Sequence, residues 1–177
     1  EFLNDLAARD PAQAAASVPR GQGASAAHWP LAGGRYLVPT AAYLAGASEE
    51  VRLAAKLASS ATDWQEDWPV FGVSWEDSQA YSKWLSLRTG WLVTQPHMHQ
   101  WERAARGADG RIFPWGNEAN PSLCNVNNSH EGGGHPVPVE AFPTDESPFG
   151  VRGMGGNAHA RCLNDPGANY RHWRAIR

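Results

Sequence analysis

Two stretches of this chain place apolar residues at helical spacing behind a start signal. Ser74 is followed three residues on by Asp77, a variant of the capping box. The run then sets Ala80, Tyr81, Trp84 and Leu85 on one face before stopping at Gly90. Pro96 precedes the second run, MHQWERAAR, in which Trp101, Ala104 and Ala105 share the core-facing side and Gly107 marks the end. A shorter helix is predicted over 48–61. There Val51, Leu53, Ala54, Ala55 and Leu57 follow the acidic pair Glu49 and Glu50, whose charge suits a helix N-terminus. Strand period is rarer. Residues 69–73 read as a short apolar strand, and residues 35–38 as another, with turns at Gly33-Gly34 and at Pro39. Residues 1–19 hold at most one short helix, broken at Pro11, and GQGASAA (21–27) reads as a linker. The predicted organisation is therefore an N-terminal tail or linker, 1–27, ahead of one domain, 28–177. Beyond Gly107 regular structure thins out. Asp109-Gly110-Arg111 is a tight turn that leaves Arg111 to pair with an acidic neighbour, 120–136 is a long polar loop, and 138–154 is turn and short strand.

Composition sharpens this picture. Nine tryptophans, 18 glycines and 13 prolines in 177 residues describe a core of large flat side chains and much of the length in defined turns. Trp64, Trp68, Trp75, Trp84, Trp91, Trp101 and Trp115 are expected mostly in that core. The net charge is -3 and the basic residues are scattered, which argues against a nucleic-acid partner. No apolar run approaches the ~20 residues of a membrane span. The N-terminus lacks the blocks of a signal peptide, so the expectation is a cytoplasmic chain, or a secreted one whose leader has been removed. Two cysteines, Cys124 and Cys162, cannot make a disulfide-rich scaffold; they are read as thiols, with a disulfide or a metal ligand as alternatives.

Three blocks in order, VFGVSWEDSQAYSKWL (70–85), WERAARGADGRIFPWGN (101–117) and SPFGVRGMGGN (147–157), resemble the formylglycine-generating-enzyme (sulfatase-modifying factor) family over roughly residues 64–177. The resemblance implies an α+β, C-type-lectin-like fold, with two short helices on small twisted sheets. The nearest branches by motif are the modules appended to bacterial serine/threonine kinases and the variable proteins diversified by retroelements. No kinase motif occurs in this chain.

The departures from the family pattern bear on function. Before Trp101 only Pro96 survives of the usual helix start, and His97-Met98-His99 stands in its place. The family's Gly-Asn-Val-Trp-Glu-Trp block reads Gly156-Asn157-Ala158-His159-Ala160-Arg161, so the acidic calcium ligand of the family is replaced by Ala160. A second family calcium site involves the loop resembling Asn125-Val126. HWRAIR, ending at Arg177, resembles the residues just before the closing strands, which in formylglycine generators carry the paired copper-binding cysteines; Cys124 and Cys162 do not match those positions.

Two alternatives stay open for the histidines. On extended backbone His97 and His99 suit a copper or iron ion, with His159 or Cys162 as third ligand and Glu102 or Asp165 as carboxylate. On a helix they diverge and are ordinary solvated side chains. The loop of Asn125, Asn127, Asn128, Ser129, His130 and Glu131 either recognises a ligand, holds calcium, or is plain solvated loop. His159, Arg161, Tyr170, His172 and Trp173 are the candidate ligand-binding face. The expectation is a non-catalytic ligand- or protein-binding domain without a resident cofactor. A metal-dependent oxidoreductase and a regulatory kinase module are the alternatives, with self-association through an open sheet edge.

Overall fold

The structure, a computed structural model, describes residues 1–21, 23–59, 63–130 and 134–163. The chain divides into two compact units, Glu1–Val93 and Thr94–Arg177. It is mixed α and β, with far more helix than strand among the described residues.

In the first unit, residues expected to form one broken helix form two. α1 (Phe2–Arg9) and α2 (Pro11–Ala16) meet at Asp10, whose side chain accepts the Gln13 amide while its own N–H reaches Leu6 O at 2.7 Å. Pro11 starts a helix here, because the first turn needs no N–H from it. Within the stretch expected as a tail or linker, Phe2–Arg9 and Pro11–Ala16 are helical. Asn4 imitates a strand neighbour: its Oδ1 takes the Tyr36 N–H at 2.7 Å and its Nδ2 donates to Tyr36 O at 3.2 Å. That tyrosine lies in β2 (Arg35–Tyr36), which pairs antiparallel with β1 (Leu31–Ala32). The Gly33-Gly34 turn between them has φ 56° and 77°, which glycine adopts without strain. The predicted strand over 35–38 thus covers two residues.

α3 (Ala41–Gly46), not foreseen, starts at Thr40, whose hydroxyl accepts the Tyr43 amide at 3.3 Å. α4 (Glu49–Ala58) follows on Ser48 as foreseen, only shorter. Leu44, Ala55 and Trp64 form the buried centre, with Val38, Tyr43, Val51 and Phe71 packed against it. Residues 69–73, predicted as a strand, form none. Gly72 turns the chain at φ 76° and lies flat against Arg20, whose N–H donates to Gly72 O at 2.9 Å. That single rung replaces a ladder.

α5 (Trp75–Thr89) has the predicted capping box at Ser74 and Asp77 and the left-handed Gly90 stop. Its buried face is not the predicted one. Ser82 is buried, while Tyr81 is 44% exposed. The cause is hydroxyl bookkeeping: Ser82 Oγ donates to Ser78 O, and Ser86 Oγ donates to Ser82 O and accepts the Val93 N–H. Satisfied on their own helix, these hydroxyls tolerate burial. Trp91, expected in the core, follows the Gly90 turn and is 77% exposed, next to Leu92 at 92%.

The second unit opens with α6 (Met98–Arg106), ended at Gly107 as foreseen and burying Ala105. Arg106 pairs with Glu102 at 2.7 Å, and Arg111 pairs with Asp109 of its own turn. Phe113 and Gly116 form an isolated bridge across which Phe113 and Trp115 stack, ring centroids 5.1 Å apart. The 147–157 block is a turn-rich hairpin closed by a Glu146–Arg152 bridge.

Candidate functional site

The second unit gathers its polar side chains where three segments meet, around 125, 137 and 157. Asn157 is the fastener. Its φ is 67°, a conformation asparagine tolerates better than most residues. Its Oδ1 accepts Asn125 Nδ2 at 2.9 Å and the Val137 N–H at 3.0 Å, and its Nδ2 donates to Val137 O at 2.8 Å. The Asn157 backbone N–H donates to Asn125 O at 2.8 Å. A methyl group on Gly156 would collide with that same carbonyl. Gly156 and Asn157, the two family positions kept in this block, are thus kept by packing and hydrogen bonding.

Asn125 is buried and saturated. Besides Asn157, its Nδ2 donates to His135 O and its Oδ1 faces His130 Nε2, each at 2.9 Å. The His130 and His135 rings lie 4.1 Å apart. Burial, and then the neighbouring imidazole, hold the His130 pKa below its usual value. Asp145 is buried and accepts the Gly155 N–H at 2.8 Å. Burial pushes its carboxyl up, and the amides of Gly155 and Met154 partly offset this.

Asn125 and Val126, the loop read as a calcium site, are engaged within the protein. The Asn125 amide is spent on protein partners, both backbone carbonyls already take an N–H (from Asn157 and Ser129), and Ala160 brings no carboxylate.

The segments around Pro96 and Leu163 are neighbours: Leu163 N–H donates to Pro96 O at 2.9 Å. The metal set does not follow from that proximity. His97 is the N-cap of α6, its Nδ1 accepting the His99 N–H at 3.3 Å, and its own N–H donates to Gln100 Oε1 at 2.8 Å. The His97 and His99 rings lie 5.0 Å apart, tilted by 34°. Among the described residues no group of three His, Cys, Asp or Glu side chains is placed to hold a metal ion. Cys124 and Cys162 are both buried thiols rather than a disulfide. Burial, and then Asp145, push the Cys124 pKa up, the wrong direction for a nucleophile or metal ligand.

Of the candidate ligand face, His159 is exposed and Arg161 half-buried. Tyr170, His172 and Trp173 lie outside the described residues, as does Asp165. The sequence reading missed Asn157 as the organising residue. Its signal was present, a family position retained while its neighbours changed.

A model of the sulfatase-modifying factor enzyme 1-like domain matches residues 36–169. The chain belongs to this family. Among curated relatives, an inactive C-alpha-formylglycine-generating enzyme 2 of Bos taurus is 36% identical over 100 residues, 51% of this chain and 31% of that protein. The formylglycine-generating enzyme of Bos taurus is 34% identical over 104 residues, 52% of this chain and 26% of the relative. That of Thermomonospora curvata is 34% identical over 118 residues, 60% and 36% respectively. The chain therefore spans about a third of the length of these relatives. The family match begins at residue 36, so α1, α2 and the β1 strand lie ahead of it. Among the described residues no helix is long and apolar enough to cross a membrane.

Proposed function

We propose that this family member is a non-catalytic ligand- or protein-binding domain on a C-type-lectin-like scaffold. One observation carries the reading. In the 156–161 block the residues kept, Gly156 and Asn157, are those that hold the backbone together, and the residue lost, at Ala160, is the one a metal shell would use. Packing residues in place without a carboxylate for coordination suit a scaffold that displays a surface. Relatives named as inactive formylglycine-generating enzyme 2 support the same reading. The recognition face is assigned to His159, Arg161, Tyr170, His172 and Trp173, and its target is a protein or small-molecule ligand.

The rival is formylglycine generation, favoured by relatives that carry that name. One experiment separates them. The chain is incubated aerobically with copper and a cysteine-containing sulfatase peptide, and the peptide is followed by mass spectrometry. The cysteine is expected to stay unchanged; conversion to formylglycine overturns the proposal. In parallel, binding on peptide and glycan arrays is expected to fall at least about tenfold, or 1.4 kcal/mol, with His159→Ala plus Arg161→Ala. Array binding that ignores both substitutions removes the assigned face.

A further inference from the structure

We infer that the trough between α1 and α5 is a binding site for a small organic anion with an apolar body. It is separate from the 159–173 face and rests on different observations. Aromatic rings hold the two helices apart: Phe2 packs against Tyr81 and against Trp84, ring centroids 5.8 Å away in both cases. Beside these rings lies a cavity of about 480 Å³, inside the range of about 300–1,000 Å³ that small-molecule sites occupy.

Its wall is apolar, formed by Phe2, Leu6, Trp84 and Leu87. Leu87 is 78% exposed, so the wall leaves apolar surface in water for a ligand to cover. Its rim is basic. Arg9, Lys83 and Arg88 line it against a single carboxylate, Asp5. Asp5 is already committed: its Oδ2 accepts Trp84 Nε1–H at 3.0 Å and stands 3.9 Å from Arg88 Nη1. Arg88 also pairs with Glu1 at 3.1 Å and sits over the Trp84 ring at 5.1 Å. Arg9 and Lys83 meet no carboxylate among the described residues; the Arg9 Nε donates only to the Asp5 carbonyl, at 3.2 Å.

Two cations without an ion pair among the described residues, Arg9 and Lys83, at the edge of an aromatic and aliphatic wall complement one chemistry, a carboxylate or sulfonate on an apolar frame. The apolar part covers Leu6 and Leu87, and the anion meets Arg9 and Lys83.

A matched pair of fluorescent probes tests this. 8-Anilinonaphthalene-1-sulfonate carries the anion, and N-phenyl-1-naphthylamine is the same frame without it. Both are titrated into the intact chain at neutral pH, following probe emission and energy transfer from tryptophan. The sulfonate is expected to bind at one saturable site and at least about tenfold more tightly than the neutral probe, a 1.4 kcal/mol difference. Arg9→Glu plus Lys83→Glu is expected to erase that difference and leave the neutral probe within about twofold. Leu87→Ser is expected to weaken both probes, with each variant checked for an unchanged thermal melt. Equal affinity of the two probes, an unchanged preference in the charge-reversed variant, or binding without saturation overturns the proposal.

Discussion

His28 is wholly enclosed, its ring 5.5 Å from that of Trp64, and neither of its nitrogens meets a partner among the described residues. Burial lowers its pKa from 6.5 to about 4. The folded protein thus refuses a proton that the unfolded chain accepts. Stability from this residue is complete above pH 6.5 and is lost as the pH falls toward 4, about 3 kcal/mol in all. Urea titrations at about pH 7 and about pH 4.5 should show His28→Phe to be less acid-sensitive than the parent; identical pH slopes would remove His28 as the cause. Glycine gives a second contrast. Gly72 and Gly90 both have φ near 75°, but only Gly72 has no room, its Cβ position falling against the Arg20 backbone. Gly90→Ala should cost about 1 kcal/mol from backbone strain alone, and Gly72→Ala about 3 kcal/mol or more. Equal losses would mean the Arg20 approach relaxes. The sequence placed Gly90 as a helix stop but Gly72 inside a predicted strand; what sets Gly72 apart is a contact with a segment more than fifty positions away.

Capping was the legible part at the scale of elements, because its chemistry is local. Ser74 with Asp77, Gly90, Pro96 and Gly107 bound α5 and α6 where the sequence placed them. Ser74 Oγ takes the Asp77 N–H at 2.9 Å, and the Asp77 carboxylate returns to the Ser74 N–H at 3.3 Å. Ser74→Ala should cost about 1 kcal/mol in urea melts, and Ser74→Asn much less, since asparagine caps as well. A loss equal in both would show that the hydroxyl acts elsewhere. The His97-Met98-His99 oddity resolves here too: an imidazole does the work that a serine or threonine does at other helix starts, which its residue type did not announce. Strands were less legible. A run such as 69–73 needs a partner edge, and the single rung at Arg20 is supplied by tertiary structure. The face of α5 was misread for a related reason, since serines that bond back to their own helix look polar in sequence and behave as fillers in place.

For the whole molecule, family membership was legible from three blocks, and the mixed α and β composition with it. The expectation that the seven tryptophans lie mostly in the core was less so: Trp64 is buried, Trp68, Trp75, Trp84, Trp101 and Trp115 are half-buried, and Trp91 stands at the surface. Both thiols are enclosed, at 4% exposure for Cys124 and 0% for Cys162. Labelling with a disulfide reagent at neutral pH should therefore be slow and should accelerate through the denaturant transition of the second unit. Rapid stoichiometric labelling of native protein would contradict the burial. Asn157 carries a different lesson, for anyone shortening this polypeptide. It sits 32 positions after Asn125 and 20 after Val137 and satisfies both. A version cut before it would strand an amide and a peptide group in the interior, so the usable C-terminal limit is set by that asparagine, well downstream of the last helix.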